Sequence, residues 1–234
     1  MFQSKNIISA CLTPVVLLLS TAVFAANDKA ATQQPLSQET AKTETVEETK
    51  LRIGPGDPVA GKSKAELCYG CHGEDGNSTD PMAPKLSGQY GIYIAKQVRN
   101  YQATTRTHQI MSGMAASISD DDLADIAAYF ASQPMMKGAT PSSNQIGKKL
   151  FENDDLSRMM VRCNNCHGAT GKGQNPGNPV YPVIGGQHKE YLLGQLINFR
   201  KGVRNNSQGG VMNTTVSRLS DAELEALADY VSGL

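Results

Sequence analysis

The chain has 234 residues, room for two small domains, and carries 22 basic and 22 acidic side chains. A balanced charge creates no field that would gather a polyanion, so no nucleic-acid partner is expected. Beyond the N-terminal segment no apolar run is long enough to span a bilayer.

The N-terminus reads as an export signal over residues 1–25. Lys5 supplies the positive start, Ile7 to Phe24 is largely apolar, and Val23-Phe24-Ala25 offers small residues for cleavage. If retained, the same run approaches the roughly 20 residues of a membrane anchor. Ile8-Ser9-Ala10-Cys11 resembles a lipobox, but the apolar run follows this cysteine instead of preceding it. Residues 26–52 are rich in Thr, Gln, Glu, Lys and Ala, with almost nothing large and apolar. Such a composition cannot offset the entropy of ordering, so this stretch is expected to be a disordered tether.

Two five-residue words follow: Cys68-Tyr69-Gly70-Cys71-His72 and Cys163-Asn164-Asn165-Cys166-His167. Each is C-x-x-C-H, the pattern of covalent c-type haem attachment. Two thiols on one helical turn can add to the two vinyl groups of one haem, and the adjoining histidine then meets the iron. Two such words predict two covalently bound haem c groups, on Cys68 and Cys71 and on Cys163 and Cys166. Zinc is a poor alternative, because the two cysteine pairs are far apart in sequence and a histidine abuts each.

The words belong to a longer repeat. Gly88-Gln89 recurs as Gly186-Gln187, and Ile94, Val98 and Tyr101 recur as Leu192, Leu196 and Phe199, all at an interval of 98. That spacing is one face of an amphipathic helix. Ser119 with Asp122, and Ser220 with Glu223, stand as N-caps before Leu123, Ile126 and Phe130 and before Leu224, Leu227 and Val231. Each unit reads as helix, C-x-x-C-H, glycine-rich loop, helix, loop and C-terminal helix. No strand pattern appears, so the chain is all-α. Gly138, Pro141 and two serines mark a linker, dividing the chain into domains at 53–138 and 139–234. Units this small and loop-rich have little core of their own, so each should fold around its haem.

A histidine-ligated iron takes a second axial ligand or stays open. Met111 lies eight residues before Ser119, and Met212 eight before Ser220; no other methionines hold one equivalent place in both units. Met114 aligns with Thr215, and His108 and His188 are not equivalent. His72 with Met111 and His167 with Met212 are therefore the predicted axial pairs, a combination that raises reduction potential. Pro84 and Pro182 also recur. Their carbonyls could orient the proximal histidines, or the prolines could punctuate loops, and spacing leaves both readings open. Arg106 and Arg204 recur as well, as partners of a haem propionate or of backbone, or as solvated surface charges.

With Cys-x-x-Cys-His-Gly-x-x-Gly at both words, Pro84-Lys85-Leu86-Ser87-Gly88-Gln89, Leu123 to Gln133 and Gly185-Gly186-Gln187-His188, residues 55–234 resemble the cytochrome c4 family. The resemblance implies two tandem class I cytochrome c-like domains, each wrapped around one haem, with haem propionates facing each other. It implies His/Met ligation through His72, Met111, His167 and Met212, and Pro84 and Pro182 carbonyls that orient the histidines. The second unit departs from the first by a longer segment before Cys163 and extra residues after His167.

Residues 53–143 hold 7 basic and 9 acidic side chains, and residues 144–234 hold 10 and 8, a small asymmetry that could steer docking. The leading functional expectation is a monomeric, non-enzymatic periplasmic cytochrome, peripheral to or anchored at the membrane. It would shuttle single electrons from a quinol-oxidising respiratory complex to a terminal oxidase or reductase, partners that come from the resemblance. The alternative is a haem-bearing electron-transfer subunit of a dehydrogenase, such as a flavocytochrome that oxidises sulfide, since one fold serves both. Peroxidase-type catalysis would need an open iron, against which the repeated methionine argues.

Overall fold

A computed structural model describes residues 54–174 and 181–234, all within one compact unit. The expected leader at 1–25 and the tether at 26–52 lie outside the described residues.

Asp57 opens the first helix: its carboxylate accepts from the Val59 N–H at 2.8 Å, and Pro58 takes the first helical position, where no N–H is needed. Helix α1 (Pro58–Lys64) is followed by α2 (Glu66–His72), α3 (Gly91–Gln102), α4 (Met111–Ala116) and α5 (Asp120–Ser132). The second lobe repeats the order with α6 (Gln145–Glu152), α7 (Asn164–His167), α8 (Lys189–Arg200), α9 (Val211–Val216) and α10 (Asp221–Ser232). Among the described residues no strand forms; one isolated antiparallel bridge joins Asp155 and Met160. The fold is the all-α pair of domains that the repeat implied.

Both expected caps are present. Ser119 accepts from the Asp122 N–H at 3.1 Å to start α5. At α10 the box is reciprocal: Ser220 accepts from the Glu223 N–H at 3.3 Å while the Glu223 carboxylate accepts from the Ser220 N–H at 2.9 Å.

Each lobe is locked where its first and last helices cross. Gly61 of α1 lies against the Asp125 carbonyl of α5, and Gly147 of α6 against the Ala226 carbonyl of α10. A Cβ at either glycine would overlap that oxygen. Behind these crossings, Leu123, Ile126 and Phe130 of α5 bury against Ile94, Val98 and Tyr101 of α3. Leu224, Leu227 and Val231 of α10 pack with Leu192 and Phe199 of α8 and Phe151 of α6. Leu196, on the expected inner face of α8, is only half-buried because its other side lines a cavity.

Two features went unread in the sequence. The short helices α4, which opens at Met111, and α9, in which Met212 is the second residue, stand where the sequence reads as loop; six residues are too few to show a helical period. The extra segment before Cys163 forms a turn at Leu156–Arg158, held by Arg158, which pairs with Asp155 at 2.8 Å and Glu223 at 2.7 Å.

Candidate functional site

One cavity of about 560 Å³ lies between the lobes. His72, Pro84 and Met111 line it from the first lobe, and His167, Pro182 and Met212 from the second. Cys71 also reaches it and is exposed. Cys68 and Cys163 lie outside its lining, half-buried against the first and second cores, and Cys166 is half-buried. Burial, and secondarily the neighbouring cysteine, pushes the Cys68 thiol up to about 11. Burial likewise pushes the free Cys163 thiol up to about 12. The four thiols are split between the lobes. Among the described residues no three His, Cys, Asp or Glu side chains converge on one point.

The two histidines end α2 and α7 and are 7% and 6% exposed. His72 Nδ1 lies 2.7 Å from the Pro84 carbonyl, and His167 Nδ1 lies 2.9 Å from that of Pro182. A carbonyl only accepts, so Nδ1 is the protonated nitrogen and Nε2 keeps its lone pair for a metal. Burial holds both rings below the ordinary imidazole value, against the opposing pull of these hydrogen bonds. Neutral imidazole is the ligating form.

The other two histidines are otherwise occupied. His188 Nε2 meets the Ser78 carbonyl of the opposite lobe at 2.9 Å. His108 is exposed, and its Nδ1 accepts from the Ile110 and Met111 N–H groups, both at 3.3 Å.

Arg106 and Arg204 are not solvated: they are 8% and 7% exposed and meet at the lobe junction. Arg106 donates to Gln97 Oε1 at 2.7 Å, Tyr191 Oη at 3.1 Å and Gln195 Oε1 at 2.9 Å. Arg204 mirrors it, donating to Gln195 Oε1 at 2.8 Å, Tyr93 Oη at 3.0 Å and Gln97 Oε1 at 3.2 Å. Each guanidinium also stacks on an aromatic ring, Tyr101 at 4.8 Å and Phe199 at 4.4 Å. Lys96 joins them, donating to the Asn206 carbonyl at 2.7 Å. Burial, then Arg204 and Arg106, holds its pKa down to about 8. Sequence reading missed this network, although Tyr93 and Gln97 recur as Tyr191 and Gln195 at the interval of 98.

The cytochrome c family model matches residues 59–134 and 145–234. Cytochrome c4 of Pseudomonas aeruginosa is 40% identical over 188 residues, covering 80% of this chain and 92% of that protein. The chain belongs to the cytochrome c4 family. The crystal structure of reduced recombinant cytochrome c4 from Pseudomonas stutzeri matches with a TM-score of 0.70 at 40% identity, over 76% of this chain and 99% of that one. A thiosulfate dehydrogenase electron acceptor from Thiomonas intermedia is 30% identical, covering 76% of this chain and 83% of that protein.

As a cytochrome c4, the chain is a dihaem electron-transfer protein with two covalently bound haem c groups. The cavity suits them. It offers neutral nitrogens and thioethers as donors, and Arg106, Arg204 and Lys96 form ion pairs with no carboxylate among the described residues. Three part- or fully buried cations without an anion match the carboxylates that haem carries.

Proposed function

We propose that this cytochrome is a periplasmic shuttle, carrying single electrons from a quinol-oxidising respiratory complex to a terminal oxidase or reductase. His72 and Met111 hold the first iron and His167 and Met212 the second, while Cys68, Cys71, Cys163 and Cys166 fix the two haems covalently. Pro84 and Pro182 orient the histidines from behind. The duplication carries this reading: in both lobes a histidine, hydrogen-bonded to a proline carbonyl, and a methionine line the same cavity. Bound haem supplies reversible one-electron chemistry; the protein supplies ligands, potential and docking surface. Two axial ligands per iron leave no place for a substrate, so the chain is a carrier and not a catalyst.

In this reading residues 1–25 direct export, residues 26–52 tether domains 53–138 and 139–234, and the chain works as a monomer. No helix among the described residues is long and apolar enough to cross a membrane. The likeness to a thiosulfate dehydrogenase electron acceptor supports a second reading, an electron-transfer subunit or acceptor for a dehydrogenase. Stopped-flow reduction of the holoprotein separates the two. Fast reduction by quinol-reduced membranes and slow reduction by thiosulfate dehydrogenase with thiosulfate supports the shuttle. The reverse order supports the second reading.

A further inference from the structure

Gln89 and Gln187 are each 5% exposed, and each spends its amide on the opposite lobe. Gln89 Oε1 accepts from the Val183 N–H at 3.0 Å, and its Nε2 donates to the Val183 carbonyl at 2.8 Å. Gln187 grips Lys85 in the same way, at 2.8 and 2.9 Å. Each side chain thus binds both polar groups of one backbone residue, as a neighbouring strand would.

The residues gripped are the ones that follow Pro182 and Pro84. A carbonyl and the next residue's N–H share one rigid peptide plane. The Val183 N–H is therefore the far end of the peptide unit whose oxygen faces His167 Nδ1 at 2.9 Å. The Lys85 N–H is likewise the far end of the unit facing His72 at 2.7 Å. Hydrogen bonds at the two ends of one peptide polarise it in the same sense, so each strengthens the other.

We infer that Gln89 and Gln187 are crossed positioning residues, each setting the hydrogen bond of the axial histidine in the opposite lobe. The inference rests on His72 and His167 being the iron ligands. A stronger Nδ1–H···O bond makes the imidazole a better donor and favours ferric iron. Loosening the peptide plane therefore favours ferrous iron, and does so in the lobe that was not mutated.

The test is a redox titration of the full-length holoprotein, with each haem followed by its own paramagnetically shifted methyl resonances. Gln89→Met is expected to move the one-electron equilibrium of the second-lobe haem about threefold to tenfold toward the ferrous form, leaving the first unchanged. Gln187→Met is expected to do the reverse. A shift in the same lobe, an equal shift in both, or none in either overturns the proposal. If the variants fail to fold, amide exchange in the unmutated protein decides: Val183 and Lys85 are expected to be protected, and rapid exchange at both overturns it. A fault in the ligand assignment would show separately, in the spectrum of the unmutated protein.

Discussion

Arg106 and Arg204, one from each lobe, donate to the same two amide oxygens. Gln97 Oε1 accepts from them at 2.7 and 3.2 Å, and Gln195 Oε1 at 2.9 and 2.8 Å. Like charges brought together in a buried place repel unless an anion joins them. The two lobes therefore meet at a cationic junction, which haem carboxylates reaching it would neutralise.

That junction predicts a potential. A buried cation near a haem stabilises the iron form with the lower positive charge. Arg106→Gln should lower both reduction potentials, by an amount on the order of a tenfold change in the one-electron equilibrium, about 59 mV. Arg106→Lys, which keeps the charge but not the fork, should recover part of the loss. Potentiometric titration of the two variants beside the unmutated protein checks both.

The helix crossings predict a contrast between two glycines. Gly147→Ala drives a methyl into the Ala226 carbonyl and should destabilise the holoprotein by about 1–3 kcal/mol. Gly113, exposed inside α4 and outside the cavity lining, has nothing within 4 Å of its notional Cβ. Gly113→Ala should stabilise by about 0.4–1 kcal/mol through the unfolded chain. Guanidinium denaturation of the two variants should move in opposite directions.

Acid should loosen both crossings together. Lys64, and then the Asp57 N–H, hold the Asp125 carboxyl below the ordinary aspartate value of 3.8. The Ser142 hydroxyl does the same for Asp229 beside α6. A depressed folded-state value means stability that is present above the ordinary value and lost as pH falls through the depressed one. Thermal denaturation should show stability dropping below about pH 4. Asp125→Asn should flatten part of that slope.

The methionine assignment predicts independent sites. Met111→Ala should abolish the Met-to-iron near-infrared band of one haem and open that iron to carbon monoxide, leaving the other untouched. Met212→Ala should do the same for its partner. Met114→Ala should leave both bands in place. Carbon monoxide titration of the three reduced variants distinguishes them.

What could be read in advance followed the constancy of the repeat. From Pro84 to Arg106 the two units stay at one interval, 98, so the Gly-Gln pairs and the apolar faces of α3 and α8 stood out. Gly61 and Gly147 did not, because the extra segment at residues 153–162 shifts the register between them and Cys163. Burial of Arg106 and Arg204 was also illegible. Each looks like a loop cation until the other lobe covers it, and no local pattern reports a contact across some 85 residues. The glutamine clamp was hidden for the same reason: the Gly-Gln recurrence was visible, but its partner backbone lies in the other unit.

In the proposed ligation each lobe carries a covalent haem closed by histidine and methionine. The most direct measurement is a visible and near-infrared spectrum of the purified full-length protein, oxidised and reduced, with haem quantified per chain. Two covalent haems and a Met-to-iron band whose intensity matches both are expected. A single haem, or a band accounting for only one of two, would contradict that ligation by exposing an iron that Met111 or Met212 does not close.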